Sequence, residues 1–129
     1  MEFEKVVEDT VVELLRRAVV QLPKDVENAL VKASIEEESE AGRVQLKAIL
    51  DNVRLAREFG APMCQDTGLL VFFLKVGDRL GSVSGLSNAL VQATKRATLK
   101  VPLRPNAVHP ITRKNSGDNT GVGIPYLDW

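Results

Sequence analysis

The feature that most constrains this chain is a helical repeat of apolar residues over its first part, interrupted by residues that end helices. Between residues 6 and 22, apolar side chains recur at spacings of three and four, the pattern of an amphipathic helix. Pro23 ends that helix and suits the start of a second one, where a missing N–H costs little. Ser39 predicts the N-cap of a third helix, and Gly60 followed by Pro62 predicts its end. One apolar stripe of this helix would carry Leu46, Ile49, Leu50, Val53, Ala56 and Phe59.

The second half of the chain begins differently. The apolar run over residues 69–76 is rich in β-formers and predicts a mostly buried strand. A fourth helix is predicted from Ser82 or Ser84, and its inward face would carry Leu86, Ala89, Leu90, Ala93 and Ala97. The remaining stretch, from Val101, has four prolines, three glycines and no helical period, which is typical of a long loop region.

These elements predict an α+β fold. We expect an N-terminal bundle-like layer of about four helices, a small β-sheet and a long Pro/Gly-rich C-terminal loop region. The length of 129 residues fits a single domain over residues 1–129.

Charge and hydropathy exclude several classes of function. Seventeen basic residues balance seventeen acidic ones, so we expect no nucleic-acid partner and no membrane partner. The longest apolar run is far shorter than the roughly 20 residues that span a bilayer. The acidic N-terminus resembles no secretory signal, and a single cysteine forms no internal disulfide, which fits a cytoplasmic protein.

The candidate chemistry centres on the sequence "PMCQDTG", which holds Cys64 between a helix end and an apolar run. Local rules leave three interpretations of this cysteine open: a buried filler residue, a nucleophile or a metal ligand. A nucleophile needs a base, and His109 is the only histidine, although a surface or capping role suits it equally. One Cys and one His do not make a closed zinc site.

Two further groups stand out in the C-terminal stretch. Arg104 lies between Leu103 and Pro105, where its guanidinium could grip a carboxylate in a bidentate manner or simply remain solvated at the surface. Asp118 and Asn119, in "GDNTG", are typical of an Asx turn, so we assign them a structural role.

The two stretches together resemble a known family. "PMCQDTG" precedes an apolar strand ending in "KVG", and "LRPNAVHPITRKNSGDNTG" follows about 40 residues later. This combination resembles the N-terminal part of the α subunit, or α region, of the class I fumarate hydratases and the L-tartrate dehydratases, which are iron-sulfur hydro-lyases. The resemblance extends over nearly the whole chain.

The resemblance implies a site. In it, Cys64 would be one of three cysteine ligands of a 4Fe-4S cluster, whose open iron acts as a Lewis acid on the substrate. Gln65 and Asp66 would lie against the substrate, with Asp66 handling the proton, and Arg104 would bind a substrate carboxylate. The implied reaction is the reversible hydration or dehydration of a 2-hydroxy dicarboxylate, with fumarate and tartrate both open.

The chain also departs from the family pattern. It has no second or third cysteine and lacks the β region, so we expect a chain truncated at its C-terminus and inactive in isolation. The expected partners are the remainder of the α subunit, a β subunit or β region, and a small dicarboxylate substrate. Two alternatives remain at this point: a non-catalytic interaction module derived from the family, and a hydrolase that uses Cys64 with His109.

Overall fold

A computed structural model describes residues 2–129 of the chain. The elements, in chain order, are helices α1 (Glu2–Val20), α2 (Lys24–Glu36) and α3 (Glu40–Phe59), strand β1 (Val71–Phe73), helix α4 (Val83–Lys100) and strand β2 (Tyr126–Asp128). The fold is mostly helical with a small two-stranded sheet, which agrees with the predicted α+β class. None of the helices in this described part combines the length and apolar character needed to cross a bilayer.

Local side-chain chemistry sets the helix ends. The Ser39 hydroxyl caps α3 by accepting a hydrogen bond from the Gly42 N–H at 3.2 Å, and Ser82 caps α4 in the same way. Gly60 ends α3 with a φ of 64°, in the left-handed region that glycine enters without steric cost. Pro23 precedes the first residue of α2. The caps predicted at Ser39 and Gly60 are therefore confirmed.

The core lies between α1 and α4. All five residues predicted to face inward from α4 are buried: Leu86, Ala89, Leu90, Ala93 and Ala97. Val11 of α1 packs against this face, and its small alanines allow the two helices to approach closely. At the edge of the contact, Arg96 donates to Glu8 and Asp9 at 2.9 and 2.6 Å. The hydrogen bond from Arg96 is the main cause of a lowered pKa at Asp9.

Helices α2 and α3 form a hairpin with a sparse core. α2 packs on α3 but has no buried residue of its own, and Arg57 donates to Glu27 across the pair at 3.0 Å. Val53 of α3 is buried, as predicted. Ile49 and Phe59, which the same apolar stripe placed inward, are exposed, because α1 and α2 cover only part of that stripe.

The sheet joins the middle of the chain to its last residues. β1 and β2 run parallel, with Phe72 opposite Leu127, and Phe72 packs against the α1–α4 core. The prediction of a mostly buried strand was wrong, since Val71 is 49% and Phe73 is 79% exposed. Successive strand side chains point to opposite faces, and only the face carrying Phe72 is covered. Before β2, residues 101–125 form turns that place further polar groups beside the loop after α3.

The end of α3 gives a first test of this fold. Gly60→Ala should lower the free energy of unfolding by about 1 kcal/mol, because a Cβ is strained at this positive φ even though no atom lies near it. Urea denaturation measures the effect. Gly77→Ala is the matched control, because Gly77 is equally open but has no positive φ, and it should leave stability unchanged or slightly raised. Equal midpoints for the two variants would contradict the strained end of α3.

Candidate functional site

The Cys64 loop is positioned by two helices. The Met63 N–H donates to the Val19 carbonyl oxygen of α1 at 2.9 Å, and Asn52 of α3 donates its amide to the Met63 carbonyl oxygen at 2.6 Å. With the backbone of Met63 held from both sides, the next residue, Cys64, lies on the outside of the fold. Its side chain is exposed, and its thiol donates to the Asp66 carbonyl oxygen at 3.0 Å.

This geometry decides between the local interpretations of Cys64. The interpretation as a buried filler is wrong, because the side chain is exposed. His109 caps a turn: its Nδ1 accepts from the N–H groups of Ile111 and Thr112 at 3.3 and 3.1 Å. Within residues 2–129 no hydrogen bond joins Cys64 to His109, so the geometry gives a Cys–His dyad no support.

A pocket brings most of the predicted site residues together. Its volume is about 630 Å³, and Cys64, Gln65, Thr67 and Arg104 contribute to its lining. Thr67 donates its hydroxyl to the Arg104 carbonyl oxygen at 3.3 Å, which joins the two motifs directly. The Arg104 side chain is exposed and has no ion-pair partner in the described part of the chain. Its guanidinium is therefore available to an anion.

Asp66 follows Gln65 in the Cys64 loop. It lines a smaller adjoining pocket of about 310 Å³, and Cys64 lines this pocket as well. Its Oδ1 accepts hydrogen bonds from the Gly68 N–H at 3.0 Å and from the Asn106 side-chain amide at 3.1 Å. Cys64 therefore lies between a pocket with a cation and a pocket with a carboxylate.

Asn119 holds the backbone around Arg104 and Asn106 in place through its buried side chain. It is 3% exposed with a φ of 60°, and its Oδ1 accepts from the N–H groups of Asn106 and Ala107 at 2.7 and 3.3 Å. Its amide donates to the Arg104 carbonyl oxygen at 3.0 Å and to the Thr98 hydroxyl of α4 at 3.1 Å. The sequence predicted only a local turn here, and no pattern along the chain pointed to these contacts with α4 and with residues 104–107.

Asp118 has the local role that the sequence predicted. Its Oδ1 accepts from the N–H and the hydroxyl of Thr120 at 3.0 and 2.7 Å, which is an Asx turn. Partial burial by itself raises the pKa of this carboxyl, but hydrogen bonds from Thr120 and Ser116 and the nearby Lys95 ammonium lower it overall. Asp118 is thus an ionised group that stabilises the turn before β2.

The chain alone offers few of the donors that an iron-sulfur cluster needs. Such clusters are held by several cysteine thiolates, and the chain has one cysteine. No three His, Cys, Asp or Glu side chains among residues 2–129 lie close enough together to hold a metal ion. The chain alone therefore does not fit a cluster. The exposed thiol of Cys64 beside the pocket offers a single sulfur donor.

The fold brings the two motifs to one pocket and joins them by the hydrogen bond from Thr67 to Arg104. A model of the family described as fumarate hydratase (Fumerase) matches residues 8–128, and the chain belongs to that family. The resemblance drawn from the two motifs is thereby confirmed.

The chain is similar to subunits of several related proteins. A "Putative L(+)-tartrate dehydratase subunit alpha" of Methanocaldococcus jannaschii is 44% identical over 124 residues, which is 95% of this chain and 44% of the relative. The "L(+)-tartrate dehydratase subunit alpha" proteins of Escherichia coli and Shigella sonnei are each 39% identical over 109 residues, 84% of this chain and 36% of each relative. The chain thus spans less than half the length of these curated relatives.

Proposed function

We propose that the chain forms one wall of a hydro-lyase site, as the N-terminal part of an α subunit that adds water to, or removes it from, a small dicarboxylate. One observation carries this proposal: the exposed Cys64, Gln65 and Arg104 line a single pocket, with Asp66 beside it. A 2-hydroxy dicarboxylate needs a cationic contact and a nearby base, and both are present here.

Arg104 is the proposed carboxylate-binding group. Its backbone carbonyl oxygen accepts from Thr67 and Asn119, so the main chain is fixed while the guanidinium remains exposed at the pocket. A guanidinium presents its N–H groups in a planar fork that matches a carboxylate, which favours bidentate binding over a point contact.

Asp66 is the proposed proton-handling group. Both of its side-chain hydrogen bonds fall on Oδ1, which leaves Oδ2 without a partner among residues 2–129. A carboxylate oxygen in that state is available to take a proton from a carbon acid next to a carboxylate. Gln65 is exposed on the same loop, and its amide can both donate to and accept from substrate oxygens.

Cys64 is proposed as one thiolate ligand of a 4Fe-4S cluster, with two further cysteines supplied from outside residues 1–129. When bound, such a cluster supplies an open iron that polarises the departing hydroxyl as a Lewis acid. The thiol is exposed, and its hydrogen bond to Asp66 is with the backbone, so its sulfur can reach a partner without unfolding the loop.

The proposed assembly comprises residues 1–129 as one domain, the remainder of the α subunit and a β subunit, in the cytoplasm. Support comes from the relatives, whose names call them α subunits and which are more than twice as long as the matched segment. Two substrates are proposed as alternatives: fumarate, which is interconverted with malate, or tartrate. Turnover assays with each of these three acids choose between them.

Arg104→Ala should test the carboxylate contact in the assembled enzyme. Because a charge-assisted hydrogen-bond pair is worth about 1.5–3 kcal/mol, KM should rise roughly 10- to 100-fold while kcat changes less. Arg104→Lys should recover only part of the loss, because an ammonium lacks the planar fork. Arg79→Ala, in the loop before α4, is the matched control and should leave both constants within about twofold. Unchanged constants in Arg104→Ala would remove this residue from the site.

A further inference from the structure

The side chain of Asn106 connects the two motifs. Its Nδ2 donates to Oδ1 of Asp66 at 3.1 Å and to the Gly68 carbonyl oxygen at 3.2 Å. A side-chain amide has two N–H hydrogens, and these two contacts use both. The amide therefore contacts the Asp66 side chain and the Gly68 backbone of the Cys64 loop at the same time. This double contact fixes the orientation of the Asp66 carboxylate relative to the loop backbone.

The backbone of Asn106 is itself fixed. Its N–H donates to Oδ1 of the buried Asn119 at 2.7 Å, and Asn119 also binds the Arg104 carbonyl oxygen and the Thr98 hydroxyl of α4. One buried side chain thus holds the residue proposed to bind the substrate carboxylate and the residue that contacts Asp66. Asn106 presents its amide from a rigid support, which reduces the entropy lost in making its hydrogen bonds.

These contacts distinguish the two oxygens of Asp66. Oδ1 accepts from both Gly68 and Asn106, whereas Oδ2 has no partner among residues 2–129. An exposed carboxylate held by a single backbone N–H can still rotate, and a second donor on the same oxygen restricts that rotation. Misplacing a reacting group by about 1 Å can cost about 100-fold in rate, so the restriction matters for a proton-transfer group.

We propose that Asn106 is a positioning residue of the hydro-lyase site, one that holds Oδ1 of Asp66 so that Oδ2 meets the carbon acid. The inference rests on the proposed function, and it deepens that function by adding a residue that acts only through Asp66. The family motifs of the sequence pointed to Asp66 and Arg104, and the structure adds the amide that connects their two segments.

The catalytic test uses the assembled enzyme. Asn106→Ala should lower kcat roughly 30- to 100-fold and leave KM within about threefold, because the Arg104 contact is retained. Asn106→Asp has the same size but no N–H donors, so it should lose at least as much kcat. In an Asp66→Glu background, whose carboxylate is already displaced, Asn106→Ala should change kcat by less than about threefold.

Asn115 provides the matched control. Its amide donates to the Pro105 carbonyl oxygen at 2.7 Å, so Asn115→Ala removes a similar contact from the same segment without touching Asp66. This variant should keep kcat within about threefold of the parent enzyme. An equal loss of kcat in Asn115→Ala and Asn106→Ala would show a general loosening of the segment and overturn the positioning role.

A second readout needs no turnover. Cys64 is the only cysteine of the chain and its thiol donates to the Asp66 backbone, so the rate of alkylation by iodoacetamide reports on the order of this loop. Asn106→Ala should raise that rate several-fold in the 129-residue chain, and Asn115→Ala should not.

The two readouts separate the ways in which the proposal could fail. Faster alkylation with unchanged kcat would make Asn106 a structural residue only, and no change in either would show that its amide does not hold the loop; both results overturn the proposal. A wild-type assembly without turnover on any of the three acids would overturn the proposed function and the positioning role together. Alkylation would still report the contact itself, so the two failures are distinguishable.

Discussion

Replacing Cys64 with alanine should remove both the proposed cluster and the proposed hydro-lyase turnover of the assembled α and β proteins. Even residues that only support metal ligands cost 10- to 100-fold when replaced, so a loss of at least about 100-fold in kcat is expected for a ligand. The fold should be unaffected, because the side chain is exposed and an exposed substitution usually changes the free energy of unfolding by less than about 0.5 kcal/mol.

The measurement separates a ligand from a pocket residue. After anaerobic reconstitution, the visible absorbance of the cluster should be lost in Cys64→Ala. Gln65→Ala is the comparison variant: Gln65 lines the same pocket but offers no thiolate, so this variant should keep the absorbance while binding substrate more weakly. Full absorbance and turnover in Cys64→Ala would refute the ligand role. A wild-type assembly that gains no cluster absorbance and shows no turnover would favour the alternative of a non-catalytic interaction module.

The parts of the fold that could be predicted are those set by local chemistry. Helix ends depend on a capping hydroxyl or a left-handed glycine, and both are visible in the sequence at Ser39 and Gly60. The inward face of α4 was also predictable, because α4 is covered along its length by α1. The burial of β1 could not be predicted, because it depends on which elements pack on each face of the strand. The face that carries Phe73 remains exposed.

The candidate site was predictable only in part, for a related reason. The motif residues Cys64 and Arg104 could be named from the sequence, and the structure brings them to one pocket. Asn106 and Asn119 gave no such signal, because their role consists of hydrogen bonds to segments far away in the chain. A pattern read along the sequence shows turn formers, and only the fold shows what their side chains contact.

The largest effect on stability is expected at Asn119. Asn119→Ala should lower the free energy of unfolding by about 3 kcal/mol, because it removes four hydrogen bonds from a side chain that is 3% exposed. About 1 kcal/mol of this total comes from backbone strain, because alanine is disfavoured at a φ of 60°. The melting temperature should fall by roughly 10 °C.

Three variants separate the two causes. Asn119→Gly relieves the strained φ and should recover about 1 kcal/mol of the loss, whereas Asn119→Asp keeps Oδ1 but loses the donors to Arg104 and Thr98. Asn88→Ala, at an exposed position of α4, should be neutral or slightly stabilising. A melting temperature for Asn119→Ala equal to that of Asn88→Ala would show that Asn119 does not anchor the segment. If Asn119 anchors the backbone of Arg104, Asn119→Asp should also weaken carboxylate binding in the assembled enzyme, because the Arg104 carbonyl oxygen loses its hydrogen bond from the Asn119 amide.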